Sequence, residues 1–225
     1  MENIPSEHRI KIEIWSDVMC PFCYIGKRKL EQALADFKSK DAVEIEWKSY
    51  QLNPELKTEE GKNIHTYLSE VKGISLERAK QLNEHVTSMA KQVGLTYNMD
   101  KAVVANSFDA HRLALFAKSK GKQNELVEML FKAYFTDGKN TANHTTLIEL
   151  GNTIGLDEIE MKEVLKSNNF SEQVKMECKE AVELGISGVP FFVFNRTYAV
   201  SGAQEVGVFN QVLTKLLETE KSLTL

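Results

Sequence analysis

The stretch WSDVMCPFCYIGKRKLE, Trp15 to Glu31, sets two cysteines three residues apart where a strand pattern gives way to a helix pattern. Upstream, Ile10, Ile12 and Ile14 alternate with Lys11 and Glu13, the period of a strand with one apolar face. Downstream, Leu30, Ala33, Leu34 and Phe37 follow helical spacing that ends near Lys38 to Lys40. Val43, Ile45 and Trp47 then alternate with Glu44, Glu46 and Lys48, giving a second strand before a turn at Leu52 to Pro54. Strand, helix and strand in so short a span predict a βαβ unit with parallel strands.

The helical stripe through Leu30 runs back to Cys23, seven residues earlier, so Cys23 is expected to face the core. Cys20 precedes Pro21 at the helix entrance, where proline's missing N–H has no helical partner to lose. There the free N–H groups and helix dipole favour a thiolate, with a cysteine pKa lowered from ~8.5 into roughly 3.5–7.5. An exposed thiolate at Cys20 and a sheltered thiol at Cys23 suit a pair that attacks a disulfide and then resolves the mixed disulfide. Structural zinc wants four ligands, but no second C-x-x-C exists and the five histidines are dispersed, so no metal is expected. A disulfide closing so short a loop would stabilise little.

Cys178 shares a helical stripe with Val174, Ala181 and Val182 and reads as a buried, inert thiol. Lys27, Arg28 and Lys29 read as a solvated face, with thiolate tuning or an anionic ligand as the alternative. Asp17 is either a proton acceptor or a residue that orders the turn.

The 225 residues carry 28 Lys and Arg against 32 Asp and Glu, a formal charge of −4, which supplies no basic surplus for nucleic acid or anionic membrane. No apolar run approaches the ~20 residues that span a bilayer. Glu7, His8, Arg9, Lys11 and Glu13 interrupt the N-terminus, so no secretory signal is expected and a cytoplasmic address follows. In that compartment a close cysteine pair is catalytic or metal-binding rather than a structural framework.

From about Asn63 to Lys166 no strand pattern recurs. Amphipathic stretches at 75–93, 104–118, 124–135, 145–153 and 157–166 predict a helical block, with Gly94, Gly121, Gly138 and Gly155 as stops. A helix over 171–184, a strand over Phe191–Phe194, a tight turn at Asn195-Arg196, a partner strand over Thr197–Val200 and a final helix over Val206–Leu217 complete the chain. An α/β domain in two parts, 1–60 and 171–225, interrupted by a helical insertion at 61–170, is the simplest reading. In the SGVPFFVF segment, Pro190 opens a strand, where its missing donor is harmless. By frequency alone the Val189-Pro190 bond is trans.

Asp17-x-x-Cys20-Pro-x-Cys23-Tyr24-Ile25-Gly26-Lys27, the helical block, Gly188-Val189-Pro190 and Tyr198-x-x-Ser201-Gly202-Ala203-Gln204 together resemble the DsbA-like thioredoxin-fold family, nearest to its FrnE-type branch of cytoplasmic oxidoreductases. The resemblance implies a thioredoxin fold (βαβ and ββα) interrupted by an all-helical domain that covers the active site. It implies a cis bond before Pro190, packed beside Cys20 and Cys23, with Val189 offering backbone groups to an extended substrate. It places Gly202, Ala203 and Gln204 at the start of the last helix, a region that helps hold glutathione in related branches. Unlike the periplasmic members, this chain has Pro21-Phe22 between its cysteines and no histidine there, which implies a less oxidising couple. Phe22 stands where the FrnE-type branch more often has tryptophan, and keeps an aromatic rim. Kappa-class glutathione transferases and chromene-carboxylate isomerases share the architecture but typically carry serine at the first thiol position.

The resulting expectation is a thiol–disulfide oxidoreductase with Cys20 as nucleophile and Cys23 as resolving thiol. Val189, Pro190, Pro21 and Phe22 would form its substrate platform, and Asp17, Lys27, Gly202, Ala203 and Gln204 would tune the thiolate or meet glutathione. No metal or organic cofactor is expected. The partners would be thiol- or disulfide-containing proteins, with glutathione as a redox partner. A glutathione-dependent transferase or isomerase, and a non-catalytic adaptor, are the alternatives. The helical block suits a pocket wall or a dimer contact equally.

Overall fold

The computed structural model describes residues 10–59 and 61–223, with side chains described to residue 219. Residues 1–9, on which part of the signal-peptide reading rests, lie outside the described residues.

Four strands, β1 (Ile10–Ser16), β2 (Val43–Ser49), β3 (Phe191–Phe194) and β4 (Tyr198–Ser201), form one sheet in the order β2-β1-β3-β4. β1 pairs parallel with β2, in register Ile10 to Val43 through Ser16 to Ser49, and antiparallel with β3. β3 and β4 form a hairpin one residue offset from the sequence expectation. Its turn places Asn195 and Arg196 at φ of 46° and 54°, the mirror-image geometry that matches strand twist.

Helix α1 (Pro21–Ala35) crosses from β1 to β2 and ends earlier than its apolar spacing suggested. Helices α2 (Ile64–Lys72), α3 (Leu76–Gln92), α4 (Phe108–Ser119), α5 (Gln123–Phe135), α6 (His144–Thr153) and α7 (Glu158–Lys166) form the helical block. Helix α2 has no counterpart in the sequence pattern because only His65 among its residues is buried. Asn63, Ser75, Asn143 and Asp157 each cap a helix through their side chains. Helices α8 (Ser171–Glu183) and α9 (Val206–Leu223) flank the β3–β4 hairpin in sequence.

The two faces of the sheet differ. Ile10, Ile12, Ile14, Trp47, Phe192 and Phe194 join α1, α9 and the helical block in one continuous core. Phe192 meets Phe209 of α9 edge-on at 4.9 Å, and Trp47 meets Phe131 of α5 edge-on at 6.0 Å. On the opposite face Trp15 and Val193 pack against Ala181 of α8 and Ile186. The alternating pattern puts charged residues on this face, and Glu13 and Glu46 are buried there. Glu13 bonds Arg196, and Glu46 pairs with Lys11, Lys48 and Lys118. Buried carboxylates persist only when compensated in this way.

β2 is an edge strand whose outward backbone groups are met by side chains. Gln123 accepts from Trp47 N at 3.0 Å and donates to Trp47 O at 2.9 Å. Glu177 accepts from Ser49 N at 2.8 Å, and the Cys178 thiol lies 3.6 Å from Ser49 O. Cys178 is thus half-buried at the strand edge, while Val182, expected on the same buried stripe, is 72% exposed.

No helix among the described residues is long and apolar enough to cross a membrane.

Candidate active site

The parallel β1 strand delivers the chain to the sheet's end, where a turn hands it to α1. Cys20 is the N-cap of that helix, its extended backbone (φ −85°, ψ 110°) receiving the Cys23 N–H at 3.0 Å. Pro21 opens the helix, and Cys23 lies one turn on, 1% exposed. Both thiols are free, and Cys20 is near enough to Cys23 to shift its ionisation.

Cys20 is not the open thiol that its position suggested. It is 4% exposed, because its Sγ lies 3.2 Å from Val189 O, to which the thiol donates. Val189-Pro190 is a cis bond, as the family resemblance implied and against the frequency expectation. Among the described residues the Val189 N–H has no hydrogen-bond partner. The loop is tied back by Gly202 N–H, which donates to Pro190 O at 2.8 Å. Gly26 packs beneath it: a Cβ there would fall 3.0 Å from both Pro190 Cγ and Phe192 Cζ.

Burial pushes the Cys23 thiol well up, and the hydrogen bond and charge of Cys20 push it further. Hydrogen bonds with the Ser16 side chain and the Asp17 backbone act the other way. Asp17 is 1% exposed and orders the turn. Its carboxylate accepts from Leu52 N at 2.7 Å and Met19 N at 3.3 Å, while its carbonyl accepts from Cys20 N at 3.0 Å.

The residues expected to surround the thiols divide. Phe22 stands 40% exposed beside the pair, a free aromatic rim. Lys27 and Lys29 are buried rather than solvated. Lys27 bonds Glu31 and, at 2.7 Å, Glu128 of α5, and Lys29 pairs with Glu205 at 2.6 Å. Their charges are committed to carboxylates across helix contacts. Gly202, Ala203 and Gln204 precede α9 instead of starting it, since the helix begins at Val206. Gly202, at φ +80°, is the turn that lets β4 reach back to Pro190.

Tyr97, between α3 and α4, was missed by sequence reasoning. Its hydroxyl donates to Pro21 O at 2.7 Å, and its ring stacks on Phe135 at 4.7 Å and Tyr24 at 6.2 Å. Burial, then the charges of Cys20 and Cys23, raise its pKa, so it remains a neutral donor roofing the pair. Glu128 was missed as well. Burial alone would raise it, but bonds from Arg28, Lys27 and Tyr24 bring it down to about 2. Neither carries a local signal, because the partners of both lie far off in the chain. Among the described residues no group of three His, Cys, Asp or Glu could hold a metal ion.

A four-stranded sheet with this topology, a dithiol at the N-terminus of its first helix and a cis-proline loop facing it define a thioredoxin-type protein. The DSBA-like thioredoxin domain family matches residues 11–214, and the chain belongs to it. A probable DsbA oxidoreductase from Streptomyces coelicolor is similar at 35% identity and TM-score 0.87, covering 93% of this chain and 91% of that one. The uncharacterized protein YwbO of Bacillus subtilis is 28% identical over 207 residues, 91% of this chain and 96% of its own. In fold alone, the chain is similar to a 2-hydroxychromene-2-carboxylate isomerase (TM-score 0.69, 14% identity, 95% and 98% covered). The same holds for the cytosolic disulfide reductase DsbM of Pseudomonas aeruginosa (0.63, 16%, 95% and 99%).

Proposed function

We propose that this chain is a thiol–disulfide oxidoreductase in which Cys20 attacks and Cys23 resolves. The observation that carries the reading is the pair itself: a helix-capping thiol against Val189 O, with a second, buried thiol one turn on. The Cys20 thiolate attacks one sulfur of a substrate disulfide. That bond breaks, the departing substrate thiolate takes a proton from water, and a mixed disulfide forms. Cys23 loses its proton and attacks Cys20 Sγ, expelling the second substrate thiolate. The substrate gains two electrons and the pair becomes a disulfide. The reverse sequence oxidises a dithiol.

Two features favour this order. In the mixed disulfide Cys20 carries no charge, so part of what holds Cys23 up is removed when Cys23 must ionise, and only burial remains. Ionisation of Cys20 also ends its bond to Val189 O. That frees an acceptor beside the unpartnered Val189 N–H for an extended peptide backbone. The substrates are proteins bearing thiols or disulfides, met at Phe22, Pro21 and Val189-Pro190. Glutathione serves as a redox partner of the pair in the cytoplasm, and the chain's similarity in fold to DsbM, solved with GSH, is compatible with that partner.

The test is titration against defined thiol redox buffers, with Cys20→Ser and Cys23→Ala alongside. The expected result is a reversible Cys20–Cys23 disulfide in the wild type, mixed disulfide accumulating in Cys23→Ala, and neither in Cys20→Ser. A wild type that never forms the internal disulfide refutes the reading. A couple near about −270 mV marks a reductase, and one well above it an oxidase or isomerase. The fold similarity to an isomerase supports a second reading, a glutathione-dependent isomerase, which would retain activity in Cys23→Ala.

A further inference from the structure

Among the described residues three buried side-chain atoms lack a hydrogen-bond partner: His111 Nε2, Tyr134 Oη and Thr141 Oγ1. The first belongs to a residue of α4 that is 6% exposed. His111 Nε2 lies 3.6 Å from Asp17 Oδ1, beyond hydrogen-bonding distance. His111 also lines a small cavity of about 20 Å³, together with Ser16, Ser49 and Gln123. That volume suits a single water molecule, and the walls supply polar groups to hold it. Ser16 has a double position, lining the cavity and lying near enough to the Cys23 thiol to favour its ionised form. A buried nitrogen with no protein partner and a serine near the resolving thiol therefore line the same water-sized space.

We propose that His111 is the proton acceptor for Cys23, acting through Ser16 and one water molecule in this cavity. The inference rests on the oxidoreductase reading and deepens it. In the resolving step the Cys23 proton passes to the Ser16 oxygen while the Ser16 proton passes through water to His111 Nε2. The Cys23 electron pair forms the bond to Cys20 Sγ, and the substrate sulfur leaves with the pair from the broken S–S bond. The imidazolium that forms faces the Asp17 carboxylate, which compensates its charge. In the reverse direction Cys23 leaves as a thiolate and recovers the proton by the same route. The pathway answers a need set by geometry: Cys23 is 1% exposed, so bulk water does not reach its proton directly.

Of the titratable and charged groups, His111 and Lys48 of β2 line this pocket; around it lie Asp17 in the β1–α1 turn, 3.6 Å from His111, Cys23 of α1 near Ser16, Tyr134 of α5 near Asp17, and Glu177 of α8, which bonds Ser49. Lys48 is paired with carboxylates, and burial with the Asp17 charge keeps Tyr134 protonated. His111 is thus the basic nitrogen placed to take the proton.

Dithiobis(nitrobenzoate) separates the two half-steps in one trace. Attack by Cys20 releases one coloured thiolate, and attack by Cys23 on the mixed disulfide releases a second. In His111→Gln and Ser16→Ala the first release should keep its wild-type rate, which also reports an intact fold. The second should slow at least tenfold near neutral pH, as loss of a positioned base does. It should then climb with pH toward the wild-type rate as hydroxide replaces the lost acceptor. The double variant should be no slower than the slower single one, the signature of one shared path. A second release unchanged in His111→Gln across the pH range overturns the inference alone. A wild type that releases only the first equivalent overturns the oxidoreductase reading, and the inference with it.

Discussion

Replacing Gly26 with alanine sets helix propensity against packing at the joint between α1 and the loop before β3. In an exposed helix the change gains roughly 1 kcal/mol, because alanine loses less backbone freedom than glycine. Here the new methyl would lie 3.0 Å from Pro190 Cγ and Phe192 Cζ, several tenths of an ångström inside ordinary contact. Neither neighbour yields easily. Phe192 is fully buried with its ring edge-on to Phe209 at 4.9 Å, and the Pro190 carbonyl is held by Gly202 at 2.8 Å. Overpacking of this kind is worth about 1–3 kcal/mol. Rigid neighbours put this case in the upper half, so a net loss of about 1–2 kcal/mol remains after the propensity gain. For a chain of this size that lowers Tm by roughly 2–8 °C. The displacement is directed at Pro190, so it should also loosen the Cys20–Val189 contact and speed alkylation of Cys20. Urea midpoints and iodoacetamide kinetics read the two effects. A Gly26→Ala protein as stable as the wild type, or more so, would show that propensity wins and refute the packing argument.

Two further outcomes follow from the charges. Burial would raise the Glu128 carboxyl, but bonds from Arg28, Lys27 and Tyr24 hold it down at about 2 against a usual 4.5, so its contribution is complete above the higher value and is lost as pH falls through the lower one. Glu128→Gln should therefore be less stable than wild type at neutral pH, by about 1–3 kcal/mol for a partly exposed site. The gap should close between about pH 4.5 and 2 in urea midpoints, and a gap that stays constant on acidification would count against it. Burial raises Cys178 to about 11, so its alkylation should remain slow at pH 8 and rise only toward pH 11. Cys178→Ala should leave the redox titration unchanged, and a shifted midpoint would give that thiol a role the present geometry does not.

The sequence carried the frame of this molecule well. Ile10, Ile12 and Ile14 could be read as a strand, and Cys20-Pro21 as a helix start, because each signal is local: a period of two, a proline whose N–H is not needed. Asn195-Arg196 announced its hairpin for the same reason. What failed was the treatment of charge. Lys27, Lys29, Glu13 and Glu46 look like solvent residues, yet each is buried against an opposite charge. Lys27 and Glu128 are 101 residues apart in the chain, and Arg196 and Glu13 are 183 apart. No local pattern records such a pairing. Tyr134 and His111 escaped similarly, since a polar group on an apolar helical stripe has no meaning until the element opposite it is known, and Tyr97 escaped because it lies in the connection between α3 and α4, where no period marks a buried side chain. For Cys20, the thiol itself was legible but its burial was not, because the group that covers it is the backbone carbonyl of Val189.

The closure of the β2 edge has a consequence for how the chain behaves in a crowded solution. An open strand edge is a template on which another extended chain can grow. Here the amide of Gln123 imitates a neighbouring strand, offering one acceptor and one donor to Trp47, while Glu177 and the Cys178 thiol meet Ser49. These side chains come from α5 and α8, so the edge is closed only while both helices are docked. Protection against sheet growth is therefore a property of the assembled fold, and partial undocking of either helix would uncover a hydrogen-bonding edge together with apolar surface.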